Sequence, residues 1–335
     1  MQEALFWKKL KDRIVQCELC PHFCVIKNNG YGKCRVRKNI DGRLMAMSFN
    51  KPVAVSIDPI EKKPLYHFLP GTFSYSIGMA GCNLGCSFCQ NWELSQKSAE
   101  ELLSSNVEVE KIIDEAKKSG CPSISYTYSE PLVSYEFVSE IMKSAKKKGL
   151  KNVLVSNGFI NQKPLKKIIK YVDAANIDLK SIKNRFYKEV CLARIEPVLE
   201  TLKTLKKGEV WVEITNLLIP KYNDSRSEIE KLVLWVKSNL GSEVPLHFTA
   251  FYPMYKMKNV PATEAKKLKE AREIALNLGL KFVYTGNLID DKGSATYCPK
   301  CRNILIRRKG FNVIEKNIAG NRCKCGEKIQ GVWRL

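Results

Sequence analysis

Cys82, Cys86 and Cys89 stand as C-x3-C-x2-C within GCNLGCSFCQNW. Three thiolates so close together, with no fourth cysteine or histidine beside them, suit a cubane iron-sulfur cluster held at three corners, its fourth iron open to a ligand. A structural zinc site calls for four closed ligands and a ferredoxin-type cluster for four cysteines, so the missing ligand points to catalysis. The alternative is a four-ligand site completed by a distant residue such as Cys121 or Cys191. Two further clusters flank this one. Cys17, Cys20, Cys24 and Cys34, spaced C-x2-C-x3-C-x9-C with His22 inside, suit zinc or a second iron-sulfur cluster that relays electrons, and the spacing leaves both open. Cys298, Cys301, Cys323 and Cys325 form two close pairs separated by a hairpin-length segment, as in zinc ribbons, which favours structural zinc; the second pair is C-x-C, a tighter knuckle than C-x2-C.

The elements that must position these residues follow from patterning. From Gly71 onward short apolar runs alternate with amphipathic stretches, the signature of repeated β/α units around a parallel sheet. Strands are expected at FSYSIGM, SISYTY, NVLVSN, AANIDL, VWVEITNLLI and LHFTAF, with a last one at Lys281–Tyr284; helices are expected over 107–118, 132–148, 164–171, 196–206, 228–240 and 263–278. The fold class is therefore α/β, a partial or full (β/α) barrel, with a doubly wound open sheet as the alternative. The C-x3-C-x2-C loop follows the first barrel strand, at the end where barrel enzymes keep their active sites. The expected organisation is a Cys-rich metal module over residues 1–50, a barrel domain over 51–296 and a ribbon-like metal module over 297–335.

The chain has 335 residues, 44% of them apolar and 27% charged, which excludes a disordered or collagen-like chain. No apolar run approaches the roughly 18 residues of a membrane span, and MQEALFWKKLKDR lacks the features of a signal peptide, so a cytoplasmic protein without membrane attachment is expected. In that setting clusters among the 13 cysteines mean metal before disulfides. Lys plus Arg is 56 against 34 for Asp plus Glu, a net charge of +22 that favours anionic partners such as RNA without choosing among them. The lysines sit on helix faces such as KSAKKKG rather than in one block.

The C-x3-C-x2-C motif resembles that of the radical S-adenosylmethionine (SAM) enzymes. The chain is similar to the activating enzymes of glycyl-radical enzymes such as pyruvate formate-lyase, and resembles the radical SAM member of the AmmeMemoRadiSam system, through CELCPHFCVIKNNGYGKCRVR, CNLGCSFCQNWELSQ, YTYSEP, VSNGF, NIDLKS, WVEITNLLIP, PLHFTAFYP and VYTGN. The resemblance implies a partial TIM-type barrel of the radical SAM kind with small Cys-rich metal modules at both ends. It also implies a [4Fe-4S] cluster on Cys82, Cys86 and Cys89, with SAM chelating the open iron. Phe88 would lie near the adenine. Tyr128, Ser129, Glu130 and Pro131 occupy the place of the family's Gly-Gly-Glu-Pro, which leaves Glu130 to hold the SAM amino group. Ser156, Asn157, Asp178 and Lys180 would contact SAM, as would His247, which matches a family histidine, and Glu213 stands where activating enzymes carry Arg. A zwitterionic sulfonium ligand does need a carboxylate for its ammonium and donors for its carboxylate and ribose, and Glu130, Ser156, Asn157 and Asp178 all fall at expected strand ends. Each has a plainer alternative: Glu130 as a helix N-terminal carboxylate, Asn157-Gly158 as a turn, His247 as a core histidine.

The implied function is reductive cleavage of SAM to a 5′-deoxyadenosyl radical that abstracts hydrogen from a substrate. The implied partners are a one-electron reductant such as a ferredoxin or flavodoxin, and Memo-type and AMMECR-type proteins of the same system. The competing readings are a glycyl-radical activase, which needs a groove for a protein loop, an RNA-modifying enzyme, whose RNA affinity would fall steeply with salt, and a non-catalytic metalloprotein scaffold.

Overall fold

Runs such as Ser123–Thr127 and Leu246–Ala250 are buried at every position, which is what a strand covered on both faces requires. The computed structural model, which describes residues 1–334, places them in one eight-stranded sheet. Its strands, in chain order, are β1 (Ala54–Pro59), β2 (Phe73–Gly78), β3 (Ser123–Thr127), β4 (Lys151–Ser156), β5 (Ala174–Asp178), β6 (Trp211–Leu218), β7 (Leu246–Ala250) and β8 (Val283–Gly286). Spatial order equals chain order, β1 pairs antiparallel with β2, and every later pair is parallel. The sheet is thus a partial barrel whose edge strands β1 and β8 do not pair.

The crossover helices are α1 (Val109–Lys118), α2 (Tyr135–Lys147), α3 (Gln162–Ile168), α4 (Asn184–Val190), α5 (Glu196–Lys207), α6 (Arg226–Leu240) and α7 (Ala265–Asn277). In α2 the buried Phe137, Val138, Ile141, Met142 and Ala145 recur at helical spacing, and Lys146 and Lys147 complement the negative end of the helix dipole. Gly149, at φ 80°, then turns the chain into β4. The expected seventh strand lies two residues later than its apolar run begins. Helix α4 and edge strand β1 were not expected; β1 buries Asp58 alone, exposes Val55 and Ile57 and ends in Pro59, a pattern too short and mixed to stand out in sequence.

Before β1 the chain forms two three-stranded antiparallel sheets, one of Gln2–Glu3, Arg43–Ala46 and Arg37–Ile40, the other of Trp7–Lys9, Val15–Cys17 and Val25–Ile26. Val15, Ile26, Leu44 and Ala46 share the barrel's own core. The buried Arg37 is ion-paired with the buried Glu136 of α2. After β8 comes a three-stranded antiparallel ribbon, Thr296–Tyr297, Ile304–Lys309 and Asn312–Lys316.

The segment between β1 and β2 closes the amino-terminal mouth of the barrel. Leu65, Phe68 and Leu69 pack on Val153 and Ala174, and the Tyr66 and His67 amides both donate to Glu213. Arg308 of the ribbon, fully buried, donates to the Tyr66 carbonyl and pairs with Glu61, and the Leu69 amide bonds the Val332 carbonyl. The opposite mouth, at the carboxyl ends of the strands, is where the loops gather. No helix among the described residues is long and apolar enough to cross a membrane.

Candidate functional site

Four consecutive strands deliver the site. The cysteine loop leaves β2, Glu130 follows β3, Ser156 ends β4 with Asn157 next, and Asp178 ends β5 with Lys180 two residues on. Parallel pairing in register puts all of these carboxyl ends at one mouth.

Glu130 is the hub, with only 2% of its surface exposed. Its carboxylate accepts from Ser156 Oγ at 2.8 Å, from the Asn157 amide at 2.8 Å and from the Leu132 amide at 3.1 Å. Burial nevertheless dominates, and its pKa is pushed up to about 7. Asn157 links this hub to the cysteines: its Nδ2 donates to Asn83 Oδ1 at 2.9 Å and reaches Cys82 Sγ at 3.5 Å. The Leu84 amide also donates to Cys82 Sγ, at 3.3 Å, and Ser95 Oγ lies 3.2 Å from Cys89 Sγ. Burial, then the charge of Glu130, drives the Cys82 thiol up; burial likewise raises Cys89.

Cys86 behaves differently. A hydrogen bond from the Cys191 thiol, with Lys180 nearby, holds it below the usual thiol range. Lys180 Nζ donates to Asp178 Oδ2 at 2.9 Å and sits 5.5 Å from the Phe88 ring centroid. Burial opposes the ammonium, but Asp178, Cys86 and Cys191 outweigh it and its pKa is raised. Phe88 itself is buried, 6.0 Å from the Phe186 ring.

Tyr128 takes the left-handed φ of 69°, where a glycine would be at ease. Its hydroxyl is tied to Asp58, Lys63 lies over its ring, and its carbonyl accepts from Asn91 Nδ2 of the cysteine loop at 2.6 Å. The turn is thus built here with a side chain clamped from both sides.

The structure brings Cys82, Cys86, Cys89, Phe88, Glu130, Ser156, Asn157, Asp178 and Lys180 to one mouth. It does not bring His247 there. His247 lies near the start of β7, its Nε2 2.7 Å from Glu213 Oε2 and its ring stacked on Tyr284 at 5.0 Å. This corrects the expectation of a cofactor contact: the histidine faces the closed amino-terminal mouth, as a satisfied core residue. Glu213 also lies there, holding the Tyr66–His67 segment and Trp211 Nε1, so it does not shape the substrate side. Of the two candidate distant ligands, Cys121 precedes β3 at the wrong end of the barrel. Cys191 is at the site, its carbonyl accepting from the Gly85 amide at 2.9 Å. Asn83, which lies beside Cys82 and accepts from Asn157, escaped the sequence reading; its place next to a cysteine of the motif was the only available signal.

Among the described residues, the tail cysteines alone gather all their sulfurs within 4.8 Å of one another. Cys298 and Cys325 are 3.6 Å apart, as are Cys301 and Cys323. Bonds of about 2.3 Å to one tetrahedral ion would set such edges at about 3.8 Å.

A family model described as the Radical SAM superfamily matches residues 76–236. The MJ0808 protein of Methanocaldococcus jannaschii is 46% identical over 332 residues, covering 98% of this chain and 99% of that one. The pyruvate formate-lyase-activating enzyme of Clostridium pasteurianum is 25% identical, over 57% of this chain and 84% of its own. Among solved structures, a radical SAM methyltransferase from Sphaerobacter thermophilus shares the fold with a TM-score of 0.51 at 14% identity, over 65% of this chain and 67% of that one.

Proposed function

This protein belongs to the radical SAM superfamily, and we propose that it binds a [4Fe-4S] cluster through Cys82, Cys86 and Cys89 and places SAM against Glu130, Ser156, Asn157, Asp178 and Lys180. Cys82, Cys86 and Cys89 would hold the cluster, which would supply the single electron for reductive carbon-sulfur cleavage of SAM and so the means to take hydrogen from a substrate.

The observation that carries the reading is the Glu130–Asn157–Cys82 linkage, which sets a buried carboxylate beside the first cysteine of the C-x3-C-x2-C loop. Glu130 in its ionised form receives an ammonium, and its three donors fix its orientation. Lys180, held by Asp178, offers a positive charge for a carboxylate or for the thiolates. Phe88 contributes an apolar wall that keeps water from the cysteines.

The test is anaerobic: reconstituted wild type and Cys86→Ala receive dithionite and SAM, and 5′-deoxyadenosine and methionine are quantified. Wild type forms both and Cys86→Ala forms neither. A wild type that carries zinc, no iron and no such activity overturns the reading.

A second, finer reading is activation of a glycyl-radical protein, favoured by the similarity to the Clostridium pasteurianum enzyme. It predicts a glycyl-radical signal in a partner protein after incubation with the reduced enzyme and SAM.

A further inference from the structure

The surplus of positive charge is concentrated at one end of the chain. Residues 298–335 hold ten Lys and Arg against two acids, Glu315 and Glu327, and so carry eight of the 22 net charges. A divalent ion on the four tail thiolates would take back two of these and still leave the ribbon strongly basic. Such a surface attracts polyanions.

The ribbon meets the barrel around a cavity of about 280 Å3 between α7, the start of β8 and the first ribbon strand. Leu276, Val283 and Tyr297 give it apolar and aromatic lining, and Arg272, Lys281 and Arg302 bring three cations. Because it takes in Lys281 and Val283, where the chain enters β8, the cavity lies at the opposite end of the sheet from the cysteine loop.

The three cations are not equally free. Ion pairs in this region join Lys281 to Glu243, Arg307 to Glu315 and Arg308 to Glu61; Arg272 and Arg302 take part in none among the described residues. Arg272 donates from Nε to the Val283 carbonyl at 2.9 Å, and its guanidinium carbon lies 6.0 Å from the Tyr297 ring centroid. These contacts hold the guanidinium in place and leave its two terminal nitrogens for a ligand. Arg302 has its backbone fixed by the knuckle: its amide donates to the Cys298 carbonyl at 3.0 Å, and it takes a left-handed φ of 63°. The second knuckle, with the exposed Lys324, adjoins the first, since Cys298 and Cys325 sulfurs are 3.6 Å apart.

Two guanidinium groups without carboxylate partners, beside an aromatic ring and apolar side chains, complement a nucleotide. The forks suit phosphate oxygens, and Tyr297 with Leu276 suits the face of a base. A single strand can present an unstacked base to a cavity, which a duplex does not. A free nucleotide has the same chemistry, but the exposed Lys300 and Lys324 of the knuckles then meet no phosphate.

We propose that this cavity and the adjoining knuckles bind single-stranded nucleic acid. One nucleotide enters with its phosphate on Arg272 and Arg302 and its base against Tyr297, while Lys300 and Lys324 meet neighbouring phosphates. The contact is non-covalent, and it does not rest on the function proposed above.

The experiment uses the full chain and a fluorescently labelled oligouridylate of about twelve nucleotides, read by anisotropy between about 50 and about 300 mM potassium chloride. Wild type binds at micromolar concentration or below at the lowest salt, and its affinity falls with salt at a log–log slope of about −2 or steeper, the worth of about three phosphate contacts. Arg302→Gln, which breaks no side-chain contact within the protein, weakens binding roughly fivefold and makes the slope shallower by about 0.7. Tyr297→Ala weakens it about tenfold with the slope unchanged, through lost stacking. Lys147→Gln with Lys148→Gln, which removes two charges from the end of α2, leaves affinity within roughly twofold. Cavity variants that bind like wild type overturn the site, and so does an α2 variant that weakens binding as much as they do, since net charge alone then accounts for the attraction. Uridine monophosphate that binds as tightly as the oligonucleotide overturns the strand in favour of a free nucleotide. No binding at about 100 μM protein and the lowest salt overturns the proposal outright. None of these readouts involves SAM cleavage, so the function proposed above stands or falls separately.

Discussion

Glu130 concentrates the chemistry of the site in one side chain. Because burial lifts its pKa from 4.5 to about 7, the folded protein binds more protons than the unfolded chain between those values, and its contribution to stability is lost as pH rises through that window. The same shift makes SAM binding pH-dependent, since an ammonium is held by the ionised form. SAM affinity measured by anaerobic titration calorimetry on cluster-loaded protein should therefore rise between about pH 6 and about pH 8. Glu130→Gln should weaken SAM about tenfold to a hundredfold, the worth of one charge-assisted hydrogen bond, and flatten the pH dependence. A variant that keeps the wild-type slope would remove Glu130 from the ammonium site. That Cys82, Cys86, Cys89 and Glu130 share one mouth was legible from their spacing and their position after strands, and Cys191 was singled out beside them. Asn83 was not, because its hydrogen bond with Asn157 joins residues 74 apart and leaves no pattern in the chain.

Among the elements, the segment between β1 and β2 is the least regular and the most constrained. His67 donates from Nδ1 to the Gln330 carbonyl and accepts at Nε2 from the Tyr284 hydroxyl, partners that suit the neutral ring. Burial lowers its pKa from 6.5 to about 4. The folded protein therefore binds fewer protons than the unfolded chain in that range, and the stability present above about pH 6.5 is lost as pH falls toward about pH 4. Between about pH 7 and about pH 5 the His67 share is on the order of 2 kcal/mol. Urea unfolding at the two pH values should show a larger loss for wild type than for His67→Gln; equal losses would contradict the buried neutral histidine. The carboxyl-terminal ribbon supports the same plug through Arg308. Cys301→Ser should lower the zinc content by about one ion per chain and lower Tm, while leaving the iron content unchanged. Unchanged zinc would exclude the tail as its site. Helices and parallel strands were legible because their periodicities are strong; the plug was not, since its packing partners Val153, Ala174 and Glu213 lie far along the chain.

For the whole molecule, the contacts between the amino-terminal sheets and the barrel decide the assembly. Arg37 and Glu136, 1% and 3% exposed, meet across 99 residues of sequence, and Glu136 also accepts from the Leu5 amide at 2.7 Å. Glu136→Gln leaves a buried guanidinium uncompensated and should cost about 3–5 kcal/mol, read as a lower urea midpoint; a loss below about 1 kcal/mol would show that water reaches the pair. The sequence by itself determined the order of the β/α units, the three cysteine clusters and the loop that carries the open-site motif, because each depends on local periodicity or on spacing within one short segment. Only the tertiary structure decided that His247 and Glu213 belong to the closed mouth, since alternation along a strand says which face a residue takes but not what fills the barrel at that height. It also decided that Cys191 lies beside the cysteine loop, and that the Cys34 and His22 segments flank Cys82. Those approaches join residues far apart in the chain, and packing of whole elements, rather than any local preference, brings them together.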